Sequence, residues 1–485
     1  MRDSNTSGFG RGRGLDKERL SALYGAIQRT YLADARPWVV GYSGGKDSTA
    51  TLQLVWRAIA KIEPEKRTKP IFVLASDTLV ESPILIGHLK DTIDQMNQAA
   101  KAQGMPLTAQ LVFPEADQTF WVNMVGRGYP APYKRFRWCT ERLKINPANK
   151  FIREQVAKHG EVILALGVRR AESASRAQVM AQHKRFDEYL SRHSTITNAW
   201  VFTPVEDWSL DDVWDYLLTV QNPWGGQNRE LVTLYKNAQA GECPLVVDTT
   251  TPSCGSSRFG CWVCTVVEKD KSMEAMIDNG EEWMAPLLEL RNWLVETQDP
   301  NKKYLYRDPR RRSGKVQMWG DNQDKVIWGP YKFEVRQEIL RRLLAIQRML
   351  QDEEGQEIEL ISIGELHEIR RLWRTELGDW EDTVPRIFRE VFGRDLAWKQ
   401  NDEAVFDDES GQLLEAVCAE HGVPSALVRE LITIELDVSG LARRSNVFKR
   451  IEGALGKDWR SEEEIFEALN LQFGLGEDEE VGHAV

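Results

Sequence analysis

VVGYSGGKDSTATLQL, residues 39–54, runs from an apolar strand through a glycine turn into a helix. Gly44 and Gly45 let the backbone approach a polyphosphate closely, and a helix opening at about Asp47 offers unsatisfied N–H groups and the positive end of its dipole. Lys46 adds a cation, and Ser43 and Ser48 add hydroxyl donors. The string departs from the Walker A pattern: three residues separate Gly41 from Gly45, and Asp47 stands where Ser or Thr would hold magnesium. That disfavours transfer of a γ-phosphoryl group. The plain alternative is a strand-to-helix glycine turn that binds nothing.

Outward from this loop, apolar runs alternate with helical periods. The pattern predicts strands at 38–42, 70–75, 108–113 and 161–167, and helices at 15–34, 48–62, 82–103 and 145–159. This is the βαβ rhythm of an α/β doubly wound parallel sheet, which binds ligands at the C-terminal ends of its strands. A helix capped by Ser209 covers 209–220, Gly/Pro/Cys-rich chain follows to about 266, and helical pattern resumes near 270. The segment from 300 to 330 is polar, aromatic and basic and reads as a loop or irregular arm. Amphipathic helices return from 331, with acidic hinges at 351–357 and 401–411. The expected organisation is a flexible 1–14, a nucleotide domain over 15–235, a cysteine-rich and basic region over 236–350, and an acidic helical region over 351–485.

Length and composition bound the class. The 485 residues, 42% of them hydrophobic, hold no apolar run near the length of a membrane span, which predicts a soluble protein of two to three domains. The start, MRDSNTSGFGRGRG, lacks the apolar stretch of a signal peptide, so the expectation is cytoplasmic, with six cysteines as thiols, metal ligands or catalysts and not disulfides. The 17 tryptophans read mainly as packing, with base stacking a lesser use. The net charge of −11 is uneven: residues 351–485 hold 33 acidic and 14 basic residues, leaving 49 basic against 41 acidic in the first 350. A basic body permits a polyanionic partner, although solvated helix faces explain much of the pattern.

Three further motifs follow in order. DTLVES, from Asp77 to Ser82, ends a strand and would turn Asp77 and Thr78 toward a nucleotide. In LALGVRRAESASR, Gly167 ends another strand, Arg169 and Arg170 could meet phosphate, and Glu172, Ser173 and Arg176 follow; a charged surface turn is the alternative. FTPVEDWSLDDVWDYL, 202–217, mostly builds structure. SGGKDS resembles the PP-loop of the ATP pyrophosphatases, which cleave ATP between its α and β phosphates and adenylate an oxygen. The set over 38–220 resembles the phosphoadenosine phosphosulfate (PAPS) reductase group. The resemblance implies that Ser43, Gly44, Gly45, Lys46, Asp47 and Ser48 contact the phosphates, with Asp77 and Thr78 near ribose or base and Gly167 and Arg169 helping to enclose the nucleotide. The C-terminal Glu-Cys-Gly-x-His element of the true reductases is missing. Its nearest match, Cys418-Ala-Glu-His421, sits in an apparent helix and reads as a buried thiol.

Cys243, Cys254, Cys261 and Cys264 are spaced C-x10-C-x6-C-x2-C on turn-forming chain. Four thiolates so placed can hold a tetrahedral zinc or an iron–sulfur cluster, and a single close pair favours a 4Fe–4S cluster, with zinc the alternative. Cys139 stands apart, flanked by Lys134, Arg135, Arg137 and Arg142, which would lower its pKa and suit it as persulfide carrier or nucleophile; a structural thiol is equally consistent. These basic residues and Lys144 could also line the mouth of a site. Taken together, SGGKDS, DTLVES, RFRWCTERLKINP, GVRRAES and SCGSSRFGCWVC resemble the DndC-type sulfurtransferases of DNA phosphorothioation. That resemblance implies ATP and Mg2+, Lys46, Asp47 and Cys139 in catalysis, a cysteine desulfurase as sulfur donor, DNA as substrate and DndD- and DndE-type companion subunits, with no membrane. The rival expectations are a tRNA thiolase, a PAPS or APS reductase-like enzyme, and a nucleotide-sensing subunit without catalysis. DNA is expected on Lys302, Lys303, Arg307, Arg310, Arg311, Arg312 and Lys315, unless that run is a solvated loop or a dock for the acidic last third.

Overall fold

In the computed structural model, residues 17–172, 189–237, 260–319, 325–352, 358–398, 406–436, 438 and 446–469 are described. They fall into two compact units. The first comprises 1–114, 138–262 and 269–284, the second 115–137, 263–268 and 285–485. Cys243, Cys254, Ser173 and Arg176 lie outside the described residues, as do both termini and most of the 351–357 hinge.

The first unit is a six-stranded sheet: β1 (Trp38–Gly41), β2 (Ile71–Ser76), β3 (Leu107–Val112), β4 (Val162–Ala165), β5 (Leu190–Arg192) and β6 (Ala199–Phe202), in the order β3-β2-β1-β4-β6-β5. All neighbours are parallel except β5, which runs antiparallel to β6. The central strands β1, β2 and β4 are apolar on both faces, and both faces are covered. Trp38, Val40, Ile71, Val73, Ile163 and Ala165 pack into one core with helices α1 (Lys17–Leu32), α2 (Lys46–Ala60) and α3 (Pro83–Ala102). The alternate residues Val39, Leu74, Val162 and Leu164 face α4 (Asn146–His159), whose Ile152 is buried there. In α1, Leu23, Tyr24, Ile27 and Tyr31 fall on one helical stripe, and each buried apolar side chain of this kind contributes about 1.5–3 kcal/mol. The doubly wound parallel sheet expected from the sequence is present. β5 and β6 were not among the expected strands: they are short, and no alternation of polarity marks them.

The second unit is helical, with its longest helix at Phe333–Asp352 and further helices from Ile363–Glu376 to Glu462–Ala468. A π-helical turn, Val122–Gly126, is buried within it: the Trp121 indole donates to Leu360 O at 2.8 Å and the Trp373 indole to Val125 O at 2.9 Å. The 300–330 segment is less irregular than expected, with a helical turn at Lys303–Tyr306 and a small hairpin of β7 (Met318–Trp319) and β8 (Lys325–Val326). The expected hinge at 401–411 in fact contains a helix start. Asp407 accepts a hydrogen bond from Ser410 N and opens the helix Asp408–His421. Among the described residues no helix is long and apolar enough to cross a membrane.

Candidate functional site

β1, β2 and β4 are adjacent and parallel, so the loops that leave their C-terminal ends gather on one edge of the first unit. The loop after β1 turns at Gly44, whose φ of +72° is the left-handed conformation that L side chains resist. Ser43 N donates to Ser48 Oγ at 3.2 Å, Ser48 Oγ donates to Gly45 O at 2.9 Å, and the two hydroxyls lie 3.1 Å apart. Both serines therefore hold the loop's shape. Gly45 caps α2 with no side-chain bond, so the first-turn amides of α2 have no side-chain cap.

The loop after β4 braces this turn. A Cβ at Gly167 would lie 2.6 Å from Asp47 O, so only glycine fits there. Arg169, 4% exposed, donates through Nε to Asp47 Oδ1, while Lys46 Nζ lies 3.2 Å from Asp47 Oδ2. Gly167 and Arg169 thus act on the backbone and carboxylate of α2's first turn. Both Asp47 oxygens are engaged by cations of the protein itself. Arg170 pairs with Glu206 on the same side.

After β2, Asp77 is buried, and its Oδ1 accepts a hydrogen bond from Leu79 N at 2.8 Å, folding a turn in which Leu79 takes a φ of +64°. Burial pushes the Asp77 carboxyl up, against the pull of the Leu79 amide and Lys90. Thr78 is fully buried, and its hydroxyl donates to Glu81 Oε1 at 3.0 Å. The chain at 261 pairs antiparallel with residue 81, and Trp262 N donates to Val80 O at 3.0 Å. This brings the Cys261 thiol to Thr78 Oγ1, at 3.4 Å, and to Glu81 Oε1, at 3.7 Å. Lys144 Nζ lies 3.0 Å from the same oxygen. Desolvation pulls the Lys144 ammonium down, but Cys261, Glu81 and Cys139 more than offset it and hold it above its ordinary value. One carboxylate oxygen therefore collects a hydroxyl, a thiol and an ammonium. Cys139, which stands apart in sequence, acts on the same ammonium as Cys261. Glu81 and Lys144 were outside the expected catalytic set. The pairing of residues 81 and 261 has no local signal, although a Glu inside the strand-end motif was the available hint.

In the second unit, Arg291 is fully buried and donates to Cys264 O at 2.9 Å, to Glu268 O at 2.7 Å and to Val267 O, fixing the chain that carries Cys264. Among the described residues no group of three or more His, Cys, Asp and Glu is placed to hold a metal ion. Much of the basic run is engaged. Lys302 pairs with Glu296, and buried Arg307 donates to Gly329 and Trp328 carbonyls. Arg310 bonds Asp308 and the Arg460 carbonyl, Arg311 bonds Trp328 O, and Arg312 lies over the Tyr129 ring and 3.9 Å from Glu376. Lys303 and Lys315 make no ion pair among the described residues. Cys418 is buried in its helix.

Residues 37–267, just under half of the chain, match the phosphoadenosine phosphosulfate reductase domain family. An uncharacterised protein of Methanocaldococcus jannaschii is 28% identical over 254 residues, which are 52% of this chain and 41% of that protein. The match thus spans about two fifths of the relative's length. Among solved structures, the chain is similar to PAPS reductase from Candida auris in a phosphate complex, at 15% identity, a TM-score of 0.28 and coverage of 47% of this chain and 96% of that one. It is also similar to the U34-tRNA thiolase NcsA from Methanococcus maripaludis with its 4Fe–4S cluster, at 14% identity, a TM-score of 0.28 and coverage of 59% and 81%.

Proposed function

We propose that the protein is an ATP-dependent sulfurtransferase acting on nucleic acid, and that its substrate is a non-bridging phosphate oxygen of DNA. The observation that carries this reading is the single Glu81 oxygen that gathers the Cys261 thiol and the Lys144 ammonium beside the phosphate-binding turn of the neighbouring strand. Nucleotide activation and sulfur chemistry then share one sheet edge.

In this reading the α2 amides and Lys46 bind the triphosphate while Arg169 keeps Asp47 in place. The acceptor oxygen attacks the α-phosphorus, pyrophosphate leaves, and the oxygen becomes part of AMP, a competent leaving group. A sulfur nucleophile then displaces AMP. At the level of hydrosulfide, the phosphodiester, ATP and HS− give the phosphorothioate, AMP, pyrophosphate and a proton. Cys139, beside Lys144, is the thiol suited to receive sulfur from a cysteine desulfurase as a persulfide; release of its outer sulfur at the hydrosulfide level takes two electrons, supplied by an external dithiol that is oxidised to its disulfide. Cys243, Cys254, Cys261 and Cys264 would hold an iron–sulfur cluster, with zinc the alternative, and such a cluster would supply electron transfer or a sulfur-binding metal face. DndD- and DndE-type subunits are the proposed companions, in the cytoplasm.

The test is to incubate the protein with ATP, a sulfide source and either DNA or tRNA, and to analyse both the nucleotide products and the nuclease digest by mass. AMP and pyrophosphate together with phosphorothioate-linked dinucleotides are expected. ADP and orthophosphate would overturn the activation chemistry. A thiolated base in tRNA with untouched DNA would favour the thiolase reading.

A further inference from the structure

In the second unit the chain reverses sharply at Tyr133-Lys134-Arg135-Phe136. Phe136 N donates to Tyr133 O at 2.9 Å and Tyr133 N to Phe136 O at 3.3 Å. Every residue from Tyr133 to Arg137 is exposed, including 37% of each aromatic residue. The base of the turn is fixed: Ala131 N donates to the Tyr331 hydroxyl at 3.0 Å, and Pro132 O accepts from Thr265 Oγ1 at 2.7 Å and Gln298 Nε2 at 3.1 Å. The aromatic rings form a run. Tyr133 and Phe136 have centroids 5.9 Å apart, Phe136 meets Tyr129 at 6.4 Å, and the Arg312 guanidinium lies 5.2 Å from the Tyr129 ring. Lys134, Arg135 and Arg137 make no ion pair among the described residues, and no acidic residue interrupts the five-residue stretch.

We propose that this turn is a nucleic-acid-binding tip, on which Tyr133 and Phe136 stack against an unpaired base while Lys134, Arg135 and Arg137 neutralise the flanking phosphates. The inference rests on the nucleic-acid reading of the substrate. Two exposed rings are interleaved here with three cations that make no ion pair among the described residues. They match what a single strand offers, a π-face on every base and a charge on every phosphate. The rigid base means that little order has to be imposed on binding. A duplex keeps its bases stacked and offers the rings nothing, so the tip selects single-stranded or locally opened DNA. It also supplies cations that the Lys302–Lys315 run has largely committed elsewhere.

Fluorescence anisotropy with a labelled oligothymidylate and with the corresponding duplex tests this on the full-length protein. Tyr133→Ala/Phe136→Ala is expected to weaken single-strand binding by roughly tenfold or more while changing duplex binding little. Lys134→Ala/Arg135→Ala/Arg137→Ala should lower the slope of log K against log salt by about two. Unfolding midpoints equal to wild type are expected for both, because these side chains are exposed. If wild type binds the strand and both variants bind it equally well, the tip is overturned and the nucleic-acid reading stands. If wild type binds neither probe, that reading falls with it. An equal loss on strand and duplex from the aromatic variant overturns the stacking role.

Discussion

Asp47 shows how much one carboxylate in a signature can do for structure. Arg169 is buried with its Nε on Asp47, so removing the carboxylate strands a buried guanidinium. Asp47→Ala is therefore expected to lose about 3–5 kcal/mol in a urea titration as well as nucleotide turnover, and Asp47→Ala/Arg169→Met to lose distinctly less. Strictly additive losses would show that the two side chains do not depend on each other. The glycine turn from β1 into α2, which carries Lys46 and the serines, was legible in the sequence because such a turn is a local arrangement of a few consecutive residues. The roles of Ser43 and Ser48 were not, since each could donate to a phosphate or to its own loop, and only the backbone path distinguishes these. The meeting of Glu81, Lys144 and Cys261 was out of reach for another reason: it depends on strands closing a long stretch of chain, and no spacing rule spans that distance.

Among elements, the strands and helices of the sheet were readable to within a residue or two, because parallel strands buried on both faces are continuous apolar runs. β6 escaped because its four residues lie between Asn198, at a positive φ of 64°, and the Thr203-Pro204 corner, with no room for a period to show. The basic run from Lys302 to Lys315 looked like a DNA footprint by composition alone, yet composition cannot say where a guanidinium points. Arg310 joins Asp308 to the carbonyls of Asp458 and Arg460, and Lys332 pairs with Glu462 at 2.5 Å, so this element pins the start of the helix Glu462–Ala468. Arg310→Ala should speed amide hydrogen exchange in that helix by roughly tenfold, as loss of a charged hydrogen bond implies. Unchanged exchange together with weakened DNA binding would return Arg310 to the phosphate-binding role.

Across the whole molecule, the two units are discontinuous in sequence, and the second recruits 115–137 from within the first. Composition shifts mark the acidic last third, but a compact unit assembled from distant pieces leaves no such mark. A chain ending at residue 284 would retain 115–137 without Leu360 or Trp373, exposing Trp121, which is fully buried in the intact chain. That fragment should be poorly soluble, with red-shifted tryptophan emission relative to the full protein. A soluble monomer with unshifted emission would show that the segment needs no partner. The same interleaving imposes an order of events during synthesis. Trp121 leaves the ribosome some 250 residues ahead of Trp373, a delay on the order of ten to fifty seconds at ordinary elongation rates. For that interval an indole destined for the interior waits in the open, so the newborn chain must be shielded by a chaperone or by its own transient collapse until the later helices arrive.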